Sequence, residues 1–406
     1  MERSKACSQC PGCSHWGLSK ELSEKKKADF LSSKLDRWQD CIQPIRGLEE
    51  KGRWNYRQKT TLKAEWRNTH WGLGLQKFNP ETRRRIVIDI PDCPVHSEKL
   101  RAVLNFLSLQ LPPPSDLPLS YIAIAGELVT LVVKRKALGA ESLLDLLRCS
   151  KLTSPLQGLG VKGFFVNFNP SAGNRVFASR AWVKVWGTDD GTLVSELGTY
   201  FHGRDSFQQV LPGLHAHALE TAFSFLNPKP GDLGLDLYSG IGVTLSLWRR
   251  AECAFLGIEL GGSSIGALRK NLNLLETAEL VSASDSYLRG RVEDRLPQME
   301  QWIGNRTDPS RLLVFTNPPR TGMETAAVRW LTGYARPEKI AYLSCSAGTL
   351  GRDLSVLVQG GYRVQQILPY DFFPQTHHVE TLALLDLDPS RSFFHPMDTR
   401  RDPRSY

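Results

Sequence analysis

Apolar positions follow two different rhythms along this chain. Between Lys51 and about Arg204 they fall in short runs, at residues 60–64, 85–90, 128–133 and 163–168, set apart by glycine and proline, and these predict strands. After about Asp205 the rhythm lengthens. Runs of buried-strand type at 233–237, 254–258, 312–315 and 339–343 alternate with helical stretches of ten or more residues. A parallel sheet with helices on both faces produces that alternation. Residues 18–38 and 136–148 read as helices, and the proline-rich stretch 111–116 as a loop. The expected division is a β-rich unit over 1–204 that includes the first helix, able to pack on the next unit. An α/β, Rossmann-like unit over 205–388 and a loose tail over 389–406 follow.

The chain has 406 residues, 41% apolar and 23% charged, which suits two or three globular domains and excludes a collagenous or disordered protein. Lys and Arg number 51 against 42 acids, a net charge of +9. Residues 1–100 hold 20 basic and 13 acidic residues, so seven of the nine excess charges lie in the first quarter. Between Lys51 and Arg67 six basic residues meet one acid, Glu65, with Trp54, Tyr56 and Trp66 interleaved. An anionic partner fits that bias. The longest apolar run, 121–133, is interrupted by Glu127 and is too short to span a bilayer. No apolar signal segment opens the chain, and eight cysteines are too few for a disulfide scaffold. A reducing, cytoplasmic setting is expected.

Residues 235–242, Leu-Asp-Leu-Tyr-Ser-Gly-Ile-Gly, put a strand end before a Gly-x-Gly turn and a helix. Gly240 and Gly242 let the backbone approach a ligand closely at the carboxyl edge of the sheet. Glu259, 17 residues beyond Gly242, ends the next apolar run, where its carboxylate can accept two ribose hydroxyls. Leu245 stands where a dinucleotide fingerprint has its third glycine, which favours S-adenosylmethionine, a nucleoside without a pyrophosphate.

Three further segments fall at ends of the same strands: Thr-Asn-Pro-Pro-Arg-Thr-Gly at 316–322, Ser-Cys-Ser-Ala-Gly-Thr at 344–349 and Phe-Pro-Gln-Thr-His-His-Val-Glu at 373–380. In this order after the glycine loop they closely resemble the RNA uracil-5-methyltransferases. Ser-Phe-Gln-Gln-Val-Leu-Pro at 206–212 and Tyr-Arg-Gln-Lys at 56–59 extend the resemblance, which runs from Cys7 to about Leu385. It implies a class I methyltransferase domain of the Rossmann-like type beside a β-rich domain carrying an iron–sulfur site and RNA contacts. Asn317 replaces the commoner Asp, Ser346 and Ala347 replace Asn-Pro, and Gln208 and Leu211 replace Phe and Asn.

Uracil C5 is a weak nucleophile. A thiolate adding to C6 turns C5 into an enolate-like carbon able to take a methyl group, and a base must then remove the C5 proton. Cys345 and Glu380 are the expected nucleophile and base. Arg320 or Arg352 would lower the thiol pKa. By resemblance Gln209, Tyr238, Glu259 and Asn317 line the cofactor pocket, Phe207 stacks near the target base, and Arg57, Lys59 and Arg320 contact RNA.

Cys7, Cys10 and Cys13 crowd within seven residues, and Cys93 stands beside Pro94. Four thiolates suit a [4Fe–4S] cluster or a structural zinc. The resemblance favours the cluster, as in members that methylate ribosomal RNA. Radical chemistry is the competing use of such a cluster, but a fourth thiol closes it and Cys345 with Glu380 supplies a polar route. The expected substrate is 23S ribosomal RNA, modified as in the branch that lacks an N-terminal TRAM barrel, since only six residues precede Cys7. Transfer RNA is the alternative, and an RNA-binding protein without catalysis is the rival of another class. A monomer with no membrane association is expected.

Overall fold

The computed structural model describes residues 5–137, 141–171, 173, 175–178, 181–276, 287–306, 311–388 and 390. Seven strands, β1 (Lys59–Arg67), β2 (His70–Asn79), β3 (Arg84–Asp89), β4 (Leu119–Ala125), β5 (Leu128–Val133), β6 (Gly163–Phe168) and β7 (Trp182–Gly187), form one sheet in the order β3-β2-β1-β4-β5-β6-β7. Its neighbours are antiparallel except β5 and β6. The apolar run expected not to span a membrane is the β4–β5 hairpin, turning at Gly126 with φ +60°. Helix Glu98–Gln110, capped by the Ser97 hydroxyl accepting from the Leu100 N–H at 3.3 Å, buries Leu100, Val103, Leu104 and Leu107 in the core of this sheet. A separate hairpin, β8 (Asp190–Ser195) and β9 (Gly198–Gly203), follows.

The second sheet contains β10 (Leu233–Leu237), β11 (Ala254–Glu259), β12 (Tyr287–Arg289), β13 (Leu312–Thr316), β14 (Lys339–Ser344), β15 (Tyr362–Tyr370) and β16 (Glu380–Leu387). Their order is β12-β11-β10-β13-β14-β16-β15; the first five run parallel, and β16 is antiparallel to both of its neighbours, β14 and β15. β10, β14 and most of β16 are buried along nearly their whole length, which is why they read as mainly apolar runs. Helices Pro212–Leu226 and Val243–Arg250 bury Leu219, Ala222, Leu245 and Trp248 in one core cluster of the sheet, and Ala347–Gln359 buries Leu350, Leu354 and Leu357 in another.

The first helix covers Lys20–Lys34, shorter than the expected 18–38, because Leu35 leaves helical backbone at φ −121° and the chain continues as a 3-10 turn, Asp36–Cys41. Its Leu31, with Leu35, enters the core of the second sheet, and Ile42 and Arg46 bridge to Ile367 and Tyr370 of β15. Residues 20–46 thus belong spatially with the second sheet although they precede the first. The expected helix at 136–148 is described as Glu141–Arg148. The expected tail, 389–406, lies outside the described residues apart from residue 390. Among the described residues no helix is long and apolar enough to cross a membrane.

Candidate active site at the carboxyl edge of the second sheet

The loop after β10 has left-handed backbone at three positions, Tyr238 (φ +63°), Gly240 (φ +58°) and Gly242 (φ +83°). Glycine takes this conformation without strain, and the loop then enters helix Val243–Arg250. Glu259, at the end of β11, accepts from the Gly240 N–H at 2.9 Å and from the Gly261 N–H at 2.5 Å. Its carboxylate therefore ties the glycine loop to the adjacent strand end. The Asn317 N–H donates to the Leu237 carbonyl at 3.2 Å, which draws the β13 loop to the same edge. Gln209 is buried with its Oε1 unpartnered among the described residues. A buried amide oxygen without a donor is a costly group unless a ligand satisfies it. The expected cofactor residues Tyr238, Gly240, Gly242, Glu259 and Asn317 therefore gather around one loop, with Gln209 offering a free acceptor.

Sequence reasoning gave no role to two neighbours of this loop. The Tyr238 hydroxyl donates to the Glu324 carboxylate, and Leu260, 59% exposed, directly follows Glu259. An exposed leucine at a strand end carries an apolar signal that an adenine face would satisfy. Glu324 left no signal, because it comes from a loop 86 residues away.

The register of β14 on β16 pairs Ser344 with Thr381, so the next positions, Cys345 and Glu380, are cross-strand neighbours. Burial raises the Cys345 thiol above its ordinary value, the Glu380 charge raises it further, and Arg320 opposes both. Burial raises Glu380 to about 7, again opposed by Arg320. Glu380 is buried, and its Oε2 has no hydrogen-bond partner among the described residues. These three side chains form one electrostatic unit: a thiol, a carboxyl poised near neutrality and a guanidinium acting on both. Arg320 is exposed, and its carbonyl accepts from the Thr349 hydroxyl at 3.3 Å. Arg352, the other expected partner of the thiol, is engaged elsewhere. It pairs with Asp353 and donates to the carbonyls of Thr321 and Met323 at 3.0 and 3.1 Å. Arg352 sits inside helix Ala347–Gln359, from which it meets the β13 loop.

The loop between β15 and Glu380 is held from the N-terminal segment. Lys27 donates to the Phe373 carbonyl at 3.2 Å, Arg53 to the Pro374 carbonyl at 3.1 Å, and the His15 N–H to the Gln375 carbonyl at 3.0 Å. The Ser14 hydroxyl accepts from the His377 N–H at 2.9 Å. Three consecutive carbonyls are thus fixed by residues more than 300 positions away. Gln375 is 1% exposed, and both of its amide atoms lack partners among the described residues. It lies inside a motif that sequence reading noticed, but without an assigned role.

Phe207 is 63% exposed. Beneath it Lys59 donates to the Ser206 carbonyl at 2.6 Å, with its ammonium 5.9 Å from the Phe207 ring centroid. Burial lowers Lys59 to about 8. The Arg57 guanidinium lies 5.9 Å from the Phe373 ring. Arg57 and Lys59, two of the three basic residues expected to touch RNA, therefore reach the active-site loops, where Lys59 supports the segment that displays Phe207.

Cys7 lies on the short helix Lys5–Gln9, Cys10 and Cys13 follow it, and Cys93 comes after β3. Burial, with the neighbouring Cys93, Cys10 and Cys7 thiols, pushes Cys13 up to about 12. The four thiols are close enough to repel one another when ionised. The Gly12 N–H donates to the Cys10 sulfur at 3.4 Å. Among the described residues no three His, Cys, Asp or Glu side chains stand in a metal-holding arrangement.

Residues 194–387 match the family described as tRNA (Uracil-5-)-methyltransferase. An uncharacterised RNA methyltransferase of Listeria innocua is 26% identical over 94% of this chain and 82% of its own length. One from Lactococcus lactis is 26% identical over 81% of this chain and 70% of its own. Another, from Streptomyces avermitilis, is 34% identical over 46% of this chain and 41% of its own. Among solved structures, the tRNA (uracil-54, C5)-methyltransferase of Pyrococcus abyssi in complex with S-adenosyl-L-homocysteine superposes with a TM-score of 0.65. It covers 93% of this chain and 86% of that one at 20% identity, and shares the fold.

Proposed function

Because the chain belongs to the RNA uracil-5-methyltransferase family and is an S-adenosylmethionine-dependent RNA methyltransferase, we propose that it methylates uracil C5 in 23S ribosomal RNA through a covalent Cys345–C6 adduct. The observation that carries the mechanism is the cross-strand placement of Cys345 and Glu380, with Arg320 acting on both.

S-adenosylmethionine, when bound, supplies the electrophilic methyl group. Gln209, Tyr238, Gly240, Gly242, Glu259 and Asn317 hold it at the glycine loop. The fit rests on the two left-handed glycines, the Glu259 carboxylate beside them and the unpartnered Gln209 oxygen. Phe207 packs on the target base, which must be unpaired or flipped to reach a side-chain thiol. Cys345 loses its proton to solvent, and its sulfur adds to C6, placing the electron pair on C5 and O4. After C5 has taken the methyl group, the Glu380 carboxylate removes the C5 proton. The C5–H electrons re-form the C5=C6 bond, and the sulfur leaves C6 as thiolate. Arg320 stabilises the anionic forms of Cys345 and Glu380. A carboxyl poised near 7 accepts a proton efficiently at neutral pH.

Cys7, Cys10, Cys13 and Cys93 hold a [4Fe–4S] cluster in this reading. The donor set supports it: Cys13 and Cys93, both raised by burial and by the neighbouring thiols, are stabilised by a cationic centre that takes them as thiolates. Iron and sulfide analysis of anaerobically purified protein should give about four of each per chain; a colourless protein carrying one zinc would refute the cluster.

The ribosomal reading rests on the Asn-Pro-Pro-Arg segment and the cysteine quartet. Transfer RNA is the second reading, favoured by the description of the matched family. Mass spectrometry of both RNA pools from a deletion strain, before and after incubation with the protein, distinguishes them. New 5-methyluridine confined to tRNA would move the assignment.

A further inference from the structure

The β2–β3 hairpin carries a patch that the methylation site does not use. Lys77, Arg83, Arg84 and Arg85 are all exposed, and none has an ion-pair partner among the described residues. Phe78 is 57% exposed and pairs across the hairpin with Arg85, so ring and guanidinium share one face. The alternate face carries Leu75, Ile86 and Ile88 into the core, and Lys77, opposite Ile86, and Arg84, opposite Asn79, lie on that side towards the exposed tip. The turn is fixed, because the Asn79 side-chain oxygen accepts from the Glu81 N–H at 2.9 Å and the Thr82 N–H at 3.2 Å.

The hairpin also stands in a useful place. A Cβ on Gly12 would come within 2.9 Å of the Leu75 side chain, so the cysteine loop packs on the hairpin root. Three residues further on, His15 holds the Gln375 carbonyl of the active-site loop. The tip extends about 13 Å beyond Leu75 at the usual rise of a strand. The cysteine loop thus links the root of the hairpin to the loop that leads to Glu380.

We propose that this hairpin is a second RNA contact, separate from the methylation site, in which Lys77 and Arg83–Arg85 hold backbone phosphates and Phe78 stacks on an unpaired base. Free cations beside an exposed ring have the chemistry of a single-strand grip, with phosphates met by charge and a base by stacking. The inference rests on RNA being the substrate.

The test compares full-length wild type with Arg84→Gln/Arg85→Gln and with Phe78→Ala. Anisotropy reads binding to a labelled 20-nucleotide uridine-rich RNA across salt concentrations, and methylation kinetics use ribosomal RNA from a deletion strain. The arginine variant should lower the slope of log affinity against log salt by about 1.4 to 1.8. Phe78→Ala should weaken binding roughly fivefold to a hundredfold with little change in slope. Both should raise KM, leave kcat unchanged and leave S-adenosylmethionine affinity intact. If both variants keep the wild-type affinity and slope, the charges only protect the exposed edge strand β3 and the proposal fails. If wild type binds this RNA through the hairpin yet methylates no uridine, the catalytic reading fails while the second contact stands.

Discussion

The buried ammonium of Lys27 donates to the Asp371 carboxylate at 2.5 Å, joining residues 344 positions apart. Their side chains are 0% and 4% exposed. Burial lowers the Lys27 pKa while Asp371 opposes the shift, so the lysine depends on its partner. Lys27 also holds the Phe373 carbonyl, which makes this pair the anchor of the loop leading to Glu380.

Lys27→Met should cost about 3 to 5 kcal/mol, because a carboxylate is left buried without its partner. Thermal unfolding checks the stability. The double variant Lys27→Met/Asp371→Leu should recover most of it, since well-packed apolar pairs often replace buried ion pairs. Its methylation rate should stay low, because the Phe373 carbonyl remains unheld. Full recovery of rate in the double variant would exclude the positioning role.

Cys345→Ala should reduce methyl transfer by at least about a thousandfold, the scale seen when a covalent nucleophile is removed. Glu380→Gln should do something different. It leaves addition and methylation possible but blocks removal of the C5 proton, so a protein–RNA adduct should accumulate that survives denaturing electrophoresis. Absence of that adduct from Glu380→Gln, with wild-type turnover intact, would rule out the assigned order of steps.

The pH dependence follows from the Glu380 carboxyl and the Cys345 thiol. Both act as anions and both are raised, so kcat/KM should climb from pH 6 to pH 8 as Glu380 loses its proton near 7, and continue upward with the thiol. Stability should move the other way. Glu380 binds its proton more tightly in the folded protein than in the unfolded chain, where it titrates near 4.5. Its contribution therefore falls as pH rises from about 4.5 to about 7. Glu380→Gln should raise Tm at pH 8 relative to wild type, and the gain should shrink by pH 5; calorimetry at both values decides it.

Glu259→Gln should weaken S-adenosylmethionine binding about tenfold to a hundredfold. The carboxylate binds the Gly240 and Gly261 N–H groups as well as offering acceptors to a ribose, so the loss acts on loop and ligand together. Isothermal titration measures it. An unchanged affinity would place the nucleoside elsewhere.

Much of this arrangement is legible in the residues. The runs at 128–133, 163–168 and 233–237 coincide with β5, β6 and β10, because strands buried on both faces stay apolar at their ends, and their polar members Thr130, Asn167 and Asp236 lie inside them and are buried. Cys345 and Glu380 stand out because chemistry-bearing residues flank apolar strands. Other features depend on distance in space. Nothing near Lys27 announces Asp371, and nothing near Tyr238 announces Glu324. Arg352 looked able to act on Cys345 because it is seven residues away in sequence. Within a helix that separation is two turns, and the side chain instead meets Asp353 and the Thr321 and Met323 carbonyls. The helix at 18–38 gave no sign of where it stops, since Leu35 is an ordinary helix former whose backbone bends to reach the core.

The reversal of β16 decides where the proton-accepting group can stand. In a wholly parallel sheet every strand begins at the edge opposite to the one where its neighbours end, roughly 17 to 20 Å away for strands of ordinary length. β16 enters the sheet from the edge where β14 leaves it, so its first residue, Glu380, meets the residue just past the end of β14, Cys345. Inverting one strand thus converts two remote positions of a nucleotide-binding architecture into a bond-making and proton-removing pair, without any insertion into the loops between them.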